Sequence, residues 1–268
     1  MQKMEHLTFQ NLGCRIHYWF RSGSGDKWVF FFHGAGLDHA MFEDQFGLFD
    51  PGWNIIAWDA RGHGLSELEP GQKFRFCDMV SDCRKLFELY SIDRATLIGQ
   101  SMGGNLAQEI AYQYPDSVDR MVLIDCAKNT GKLTYLEKLA LRSARFLFAC
   151  YPWKTLIRQS AEASSNTDGV RKYISDCFRK MDKSTFVEVM LNMSGSCLHE
   201  DAQYRFPRPV LLLCGEDDRL GNIRKVAEPW AKEDPNCTLH WIGHASHNSN
   251  QDNPTAVNRL ITEFLSLN

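Results

Sequence analysis

Four short, almost uninterrupted apolar runs most constrain what this chain can fold into: 28–32 (WVFFF), 54–58 (NIIAW), 95–99 (ATLIG) and 121–125 (MVLID). Each has the length of a strand and is followed by Gly, Asp or polar residues. Polar residues do not alternate through them, so both faces of each strand must be covered, as in a parallel sheet. Helical periods lie between the runs. Met79, Cys83, Leu86, Phe87 and Tyr90 share one helix face, and Met102, Leu106, Ile110 and Tyr114 step by four up to Pro115. Strands alternating with helices predict an α/β domain. The opening segment differs. Its two strand-like runs, near 6–10 and 14–20, are joined at Asn11-Leu12-Gly13, which favours an antiparallel hairpin.

The strand texture stops at about residue 128. Leu136, Leu139, Ala140, Phe146 and Leu147, then Phe178, Met181, Phe186, Val189, Met190 and Met193, have the spacing of amphipathic helices, and 164–169 (SSNTDG) interrupts them. After Pro207 and Pro209 the first texture returns, with strand runs at 210–214 and 238–242 and a closing helix from about 254. The expected organisation is therefore a core of 1–127 with 207–268, and a helical block, 128–206, inserted in it.

Composition removes several function classes. Thirty Lys+Arg against thirty-three Asp+Glu give a net charge of −3, which provides no basic surface for nucleic acid. No stretch approaches a membrane span, and the first ten residues contain no apolar signal core. Nine cysteines at irregular spacing form neither a C-x-x-C pair nor a zinc pattern, and several sit inside apolar runs as buried thiols do. A reducing cytoplasm is the expected compartment. The oligomeric state is left open.

The sharpest chemical signal is Gly99-Gln100-Ser101-Met102-Gly103-Gly104, placed directly after a strand run and directly before a helix. A strained strand-to-helix reversal needs residues without Cβ beside the serine. It also sets the hydroxyl over the free N–H groups of a helix N-terminus. A serine hydroxyl is a weak nucleophile, so it needs a base and the base needs an orienting acid. Asp217 and Asp218 follow the apolar run 210–214, where a strand end would deliver a carboxylate to the active edge of the sheet. His244 and His247 follow the last strand run. With His240 they could be taken for a metal set, but His240 alternates within a strand and no helix face unites the three, so no metal is expected.

With these residues in view the chain resembles the α/β-hydrolase superfamily, in its cap-bearing serine esterase and lipase-like branch. The resemblance covers nearly the whole chain and rests on five motifs in order: 31–36 (FFHGAG), 59–66 (DARGHGLS), 99–104 (GQSMGG), 214–218 (CGEDD) and 246–254 (SHNSNQDNP). It implies a mostly parallel twisted sheet of about eight strands, helices on both faces, and a helical cap after the sixth strand. It implies Ser101 as nucleophile, and Asp218, fourth residue of the G-x-x-D turn, as the acid, with Asp217 and Asp125 as rivals. It implies His247 as base, because Asp252 and Pro254 stand five and seven residues further on. The family commonly has Gly immediately before this His; here Ser246 stands there, which leaves His244, after Gly243, as a minority choice. The resemblance also implies oxyanion donors at the backbone N–H of Ala35 and Met102, and scaffolding roles for His33, Asp59, Arg61 and His63.

The expected function is hydrolysis of a small or medium carboxylic ester, lactone or thioester through an acyl-enzyme, without cofactor, on a small substrate with an apolar group. Dehalogenases and epoxide hydrolases of the superfamily use an aspartate nucleophile, so Ser101 argues against both. Cofactor-free haloperoxidase and carbon–carbon bond hydrolase chemistry on the same triad remain alternatives, as does, from another class, a non-catalytic ligand-binding receptor.

Overall fold

The computed structural model describes residues 4–131, 151–196 and 199–266, with the side chains of 193–196 left aside. One eight-stranded sheet runs through it in the order β1-β2-β4-β3-β5-β6-β7-β8. The hairpin of β1 (Glu5–Asn11) and β2 (Cys14–Arg21) is antiparallel, and β2 joins β4 (Trp53–Asp59) antiparallel. Strands β3 (Lys27–Phe32), β4, β5 (Ala95–Gln100), β6 (Val118–Ile124), β7 (Val210–Gly215) and β8 (Cys237–Ile242) are mutually parallel. This is the α/β-hydrolase architecture that the motifs imply.

The apolar runs are strands covered on both sides. Phe30 and Phe32 point into one core, with Trp58, Leu97 and Leu123; Val29 and Phe31 point into the other, with Ile55, Ile98, Val122 and Leu213. Helices α2 (Phe76–Leu89), α3 (Met102–Gln113) and α7 (Ile223–Glu233) supply the first core, and α9 (Pro254–Ser266) supplies the second. Two four-residue helices, α1 (Glu43–Phe46) and α8 (Ser249–Asp252), complete this part.

Between β6 and β7 come α4 (Trp153–Ser164), α5 (Asp168–Lys180) and α6 (Lys183–Ser196). The chain leaves and rejoins at one place, for Thr130 pairs with His199 and Gly131 N–H donates to the His199 carbonyl at 2.9 Å. The break at 164–169 is present, while a second one divides the expected run through Phe178 and Val189. There Asp182 accepts the backbone N–H of Thr185 at 2.9 Å, starting α6 as an N-terminal cap. The helix expected across Leu136, Leu139, Ala140, Phe146 and Leu147 lies outside the described residues. Ile157, Ala161, Ile174, Phe178 and Phe186 extend the second core without interruption.

Candidate active site

The turn from β5 into α3 is built by absence of side chains. A Cβ on Gly103 would lie 1.9 Å from the Phe32 carbonyl oxygen, and one on Gly99 would lie 2.3 Å from the Gly103 carbonyl oxygen. Only glycine lets strand and helix approach this closely. Ser101 is thereby held at φ +50°, ψ −115°, a conformation disfavoured for any residue with a Cβ. Its N–H donates to the Ile124 carbonyl at 2.9 Å and its carbonyl starts α3 by accepting Asn105 N–H.

The loops after β7 and β8 meet this serine. Ser101 Oγ lies 2.9 Å from His247 Nε2, and His247 Nδ1 lies 2.9 Å from Asp218 Oδ2. A carboxylate only accepts, so Nδ1 carries the proton and Nε2 is left to accept the serine hydroxyl. Asp218 is 2% exposed and its other oxygen accepts Leu220 N–H at 2.8 Å. Burial would depress the His247 pKa, but the hydrogen bond and charge of Asp218, with Asp125 behind it, outweigh it, and the imidazole titrates above its usual value.

The rivals are occupied elsewhere. Asp217 is exposed and accepts the Asn166 side-chain amide at 2.8 Å. Asp125, at φ +48°, accepts the N–H groups of Gly215 and Ser249, each at 2.8 Å, tying the end of β6 to β7 and to the histidine loop. Its burial, partly offset by His247 and reinforced by Asp218, pushes its pKa up to about 7. His244 is exposed at φ +58°. Asp125, Cys214 and Asp218 form the one cluster among the described residues with metal-ligand proximity, within 4.8 Å. Its carboxylate oxygens already accept the hydrogen bonds just given, and burial keeps the Cys214 thiol protonated.

A cavity of about 230 Å³ opens onto Ser101 and His247. Ala35 lines it, as do Leu37, Ile174, Phe178, Phe186, Met190 and Leu220. Met102 is buried at the first position of α3, directly after the serine. Phe178 packs so closely on Gly36, at φ +79°, that a Cβ there would lie 2.2 Å from its ring. The remaining motif residues are scaffolding. His33 Nε2 accepts Ala60 N–H at 2.9 Å, Asp59 accepts His39 and Leu65 N–H, and Arg61 grips Asp82 through two 2.7 Å bonds. Burial beside His33 pushes His63 down to about 3, so it remains a neutral hydrogen-bonding group.

The motifs assign no role to two groups at the site. Gln100 Nε2 donates to the His247 carbonyl at 2.6 Å, and the segment Ala163–Thr167 contacts the histidine loop. Only proximity in three dimensions reveals the second, because Ser165 and Asp252 are 87 residues apart.

The chain is similar to known proteins in sequence and in fold. A family model described as "Serine aminopeptidase, S33" (Hydrolase_4) matches residues 23–253. Protein ABHD8 of Bos taurus is 28% identical over 266 residues, covering 91% of this chain; the chain spans 57% of that relative's length. A serine hydrolase-like protein of Danio rerio is 26% identical, over 87% of this chain and 79% of its own. Among solved structures, the enol-lactonase from Burkholderia xenovorans LB400 superposes with a TM-score of 0.83 at 21% identity, covering 97% of this chain and all of that one. An esterase from Exiguobacterium antarcticum gives 0.83 at 15% identity, over 98% and 100%. These two show a shared fold.

Proposed function

This chain belongs to the Hydrolase_4 family of α/β-hydrolases, and from that premise we propose that it is a serine hydrolase cleaving a small or medium carboxylic ester through an acyl-enzyme. The observation that carries the reading is the continuous Ser101–His247–Asp218 relay, two bonds of 2.9 Å, facing an apolar cavity. Ser101 Oγ attacks the carbonyl carbon as His247 Nε2 takes its proton, and Asp218 stabilises the resulting imidazolium. The N–H groups of Ala35 and Met102 receive the oxyanion. Collapse expels the alcohol, protonated by His247, and water repeats the sequence to release the acid. Lactones and thioesters pass through the same steps, and an enol-lactonase has this fold.

The described lining offers Leu37, Ile174, Phe178, Phe186, Met190 and Leu220 rather than a carboxylate for an α-ammonium group. An apolar acyl ester thus suits it better than the N-terminal residue of a peptide. Residues 128–206 act as a helical cap on a core made of 1–127 and 207–268; Ile174, Phe178, Phe186 and Met190 of this lining come from the cap, Leu37 and Leu220 from the core. Among the described residues no helix is long and apolar enough to cross a membrane. Six of the seven described cysteines are buried, and all seven are free thiols, which supports a reducing compartment such as the cytoplasm.

Incubation with a fluorophosphonate, followed by digestion and mapping, should place the adduct on Ser101, and p-nitrophenyl esters of graded chain length should be turned over. An adduct on another serine would reject the nucleophile. A folded protein that neither labels nor hydrolyses would instead be a ligand-binding receptor.

A further inference from the structure

The loop carrying His247 is bonded to the inserted helices on both sides of the histidine. Asn248 N–H donates to the Ser164 carbonyl at 2.8 Å, and Ser246 Oγ donates to the Ala163 carbonyl at 3.0 Å. Asp252, at the end of α8, is the hub. One of its oxygens accepts the N–H groups of Ser246, at 2.9 Å, and of Asn166, at 3.0 Å; the other accepts the Ser165 hydroxyl. Ser165 is fully buried, and its oxygen in turn accepts Thr167 N–H at 3.0 Å. The insertion is fastened a second time three residues after Ala35, where the Tyr173 hydroxyl donates to the Asp38 carboxylate at 2.8 Å.

We propose that the α4–α5 turn is a positioning element for the catalytic histidine, with Ser165 acting through Asp252 to hold the His247 loop in the register where Nε2 meets Ser101 and Nδ1 meets Asp218. The proposal rests on the serine-hydrolase reading. Neither Ser165 nor Asp252 touches the reacting atoms. Their effect is geometric: catalytic groups must be held within about 0.5 Å of productive geometry, and an error of about 1 Å can cost 10²-fold. The insertion is then a brace for the base as well as a wall of the pocket. The serine preceding His247, where the family commonly has glycine, has a reason here, since its hydroxyl is one of the fastenings.

The test compares Ser165→Ala, Asp252→Asn, their double variant and Ser246→Ala in the full chain. Rates on a p-nitrophenyl ester are normalised to serine titrated by fluorophosphonate after denaturant melts establish the folded fraction. Ser165→Ala and Asp252→Asn should each lower kcat about 10- to 100-fold with KM little changed. The double variant should be no worse than Asp252→Asn, because the two act as one unit. The groups facing His247 are Asp218 and Asp125, from the loops after β7 and β6, and Ser101. A loosened loop weakens the Asp218 bond, so the acid limb of kcat/KM should move to lower pH as its plateau falls. Ser246→Ala should show the same changes more weakly, and Lys172→Ala, on the exposed side of α5, should show none. A normal kcat and acid limb per folded molecule in Ser165→Ala and Asp252→Asn, or a change in KM alone, would overturn the positioning role while Ser101 labelling upholds the hydrolase reading. A wild-type protein unlabelled at Ser101 would overturn both.

Discussion

Ser101 occupies a backbone conformation that opposes the stability of the fold, at φ +50°. Ser101→Ala should lower kcat by on the order of 10⁴ to 10⁶. Ser101→Gly should be as inactive yet more stable, by about 1 kcal/mol in urea melts, because glycine adopts this φ without a Cβ penalty. Asp218→Asn should be far more damaging than Asp217→Asn, since an amide at 218 no longer fixes the tautomer of His247. Equal kinetics for the two variants would remove Asp218 from the relay. The histidine has opposite pH signs for activity and stability. Hydrolysis needs neutral imidazole, so kcat/KM should rise with pH through a pKa above the usual ~6.5. The raised pKa means that the folded state favours the charged form. That stabilisation is complete below the unfolded pKa and is lost as pH climbs through the folded one. Wild type should therefore lose stability relative to His247→Gln across the interval where it gains activity, as paired denaturant titrations would register.

At the scale of elements, the turn from β5 into α3 and the inserted helices make separate demands. Gly103→Ala drives a methyl into the Phe32 carbonyl and should cost about 1–3 kcal/mol in denaturant melts, more if the strand–helix approach cannot relax. Met190, half-buried on α6, lines the cavity. Met190→Ala should move the preferred acyl chain to longer esters, each newly accommodated methylene contributing at most about 0.8 kcal/mol, roughly fourfold in kcat/KM. An unchanged chain-length profile would take α6 out of specificity. Elements of this kind were unequally legible in the sequence. The strands could be read because burial on both faces leaves continuous apolar runs, and the β5–α3 turn because close approach demands glycine at fixed spacing. The histidine was separable from its neighbour through Asp252 and Pro254. Ser165 was not, because its role depends on contact with Asp252 across 87 positions, and a buried serine in a loop has no local pattern. The break at Asp182 was equally hidden, since apolar periodicity runs through it while the backbone turns extended at Met181 and the Asp182 side chain caps the next helix.

Taken as a whole molecule, the sheet stands between two cores, and a buried ion pair ties the loop after β4 to α2. Arg61 is fully buried, bonded twice to Asp82 and once, at 3.3 Å, to Asp78. Asp82→Ala would leave that guanidinium under-paired and should cost about 3 kcal/mol in urea melts with little direct effect on the chemistry. A cost near zero would mean that water or Asp78 replaces the lost partner. The parallel order of the strands has another outcome, concerning time. The serine, acid and base of the proposed triad stand at positions 101, 218 and 247, in the segments that follow β5, β7 and β8. As the chain emerges during synthesis, the proposed nucleophile is made before the acid and base it depends on. Throughout that interval the serine lacks the proton acceptor proposed for it, so a chain released before His247 is made should be chemically dormant. Only when the segment after β8 has delivered His247 is the proposed triad complete.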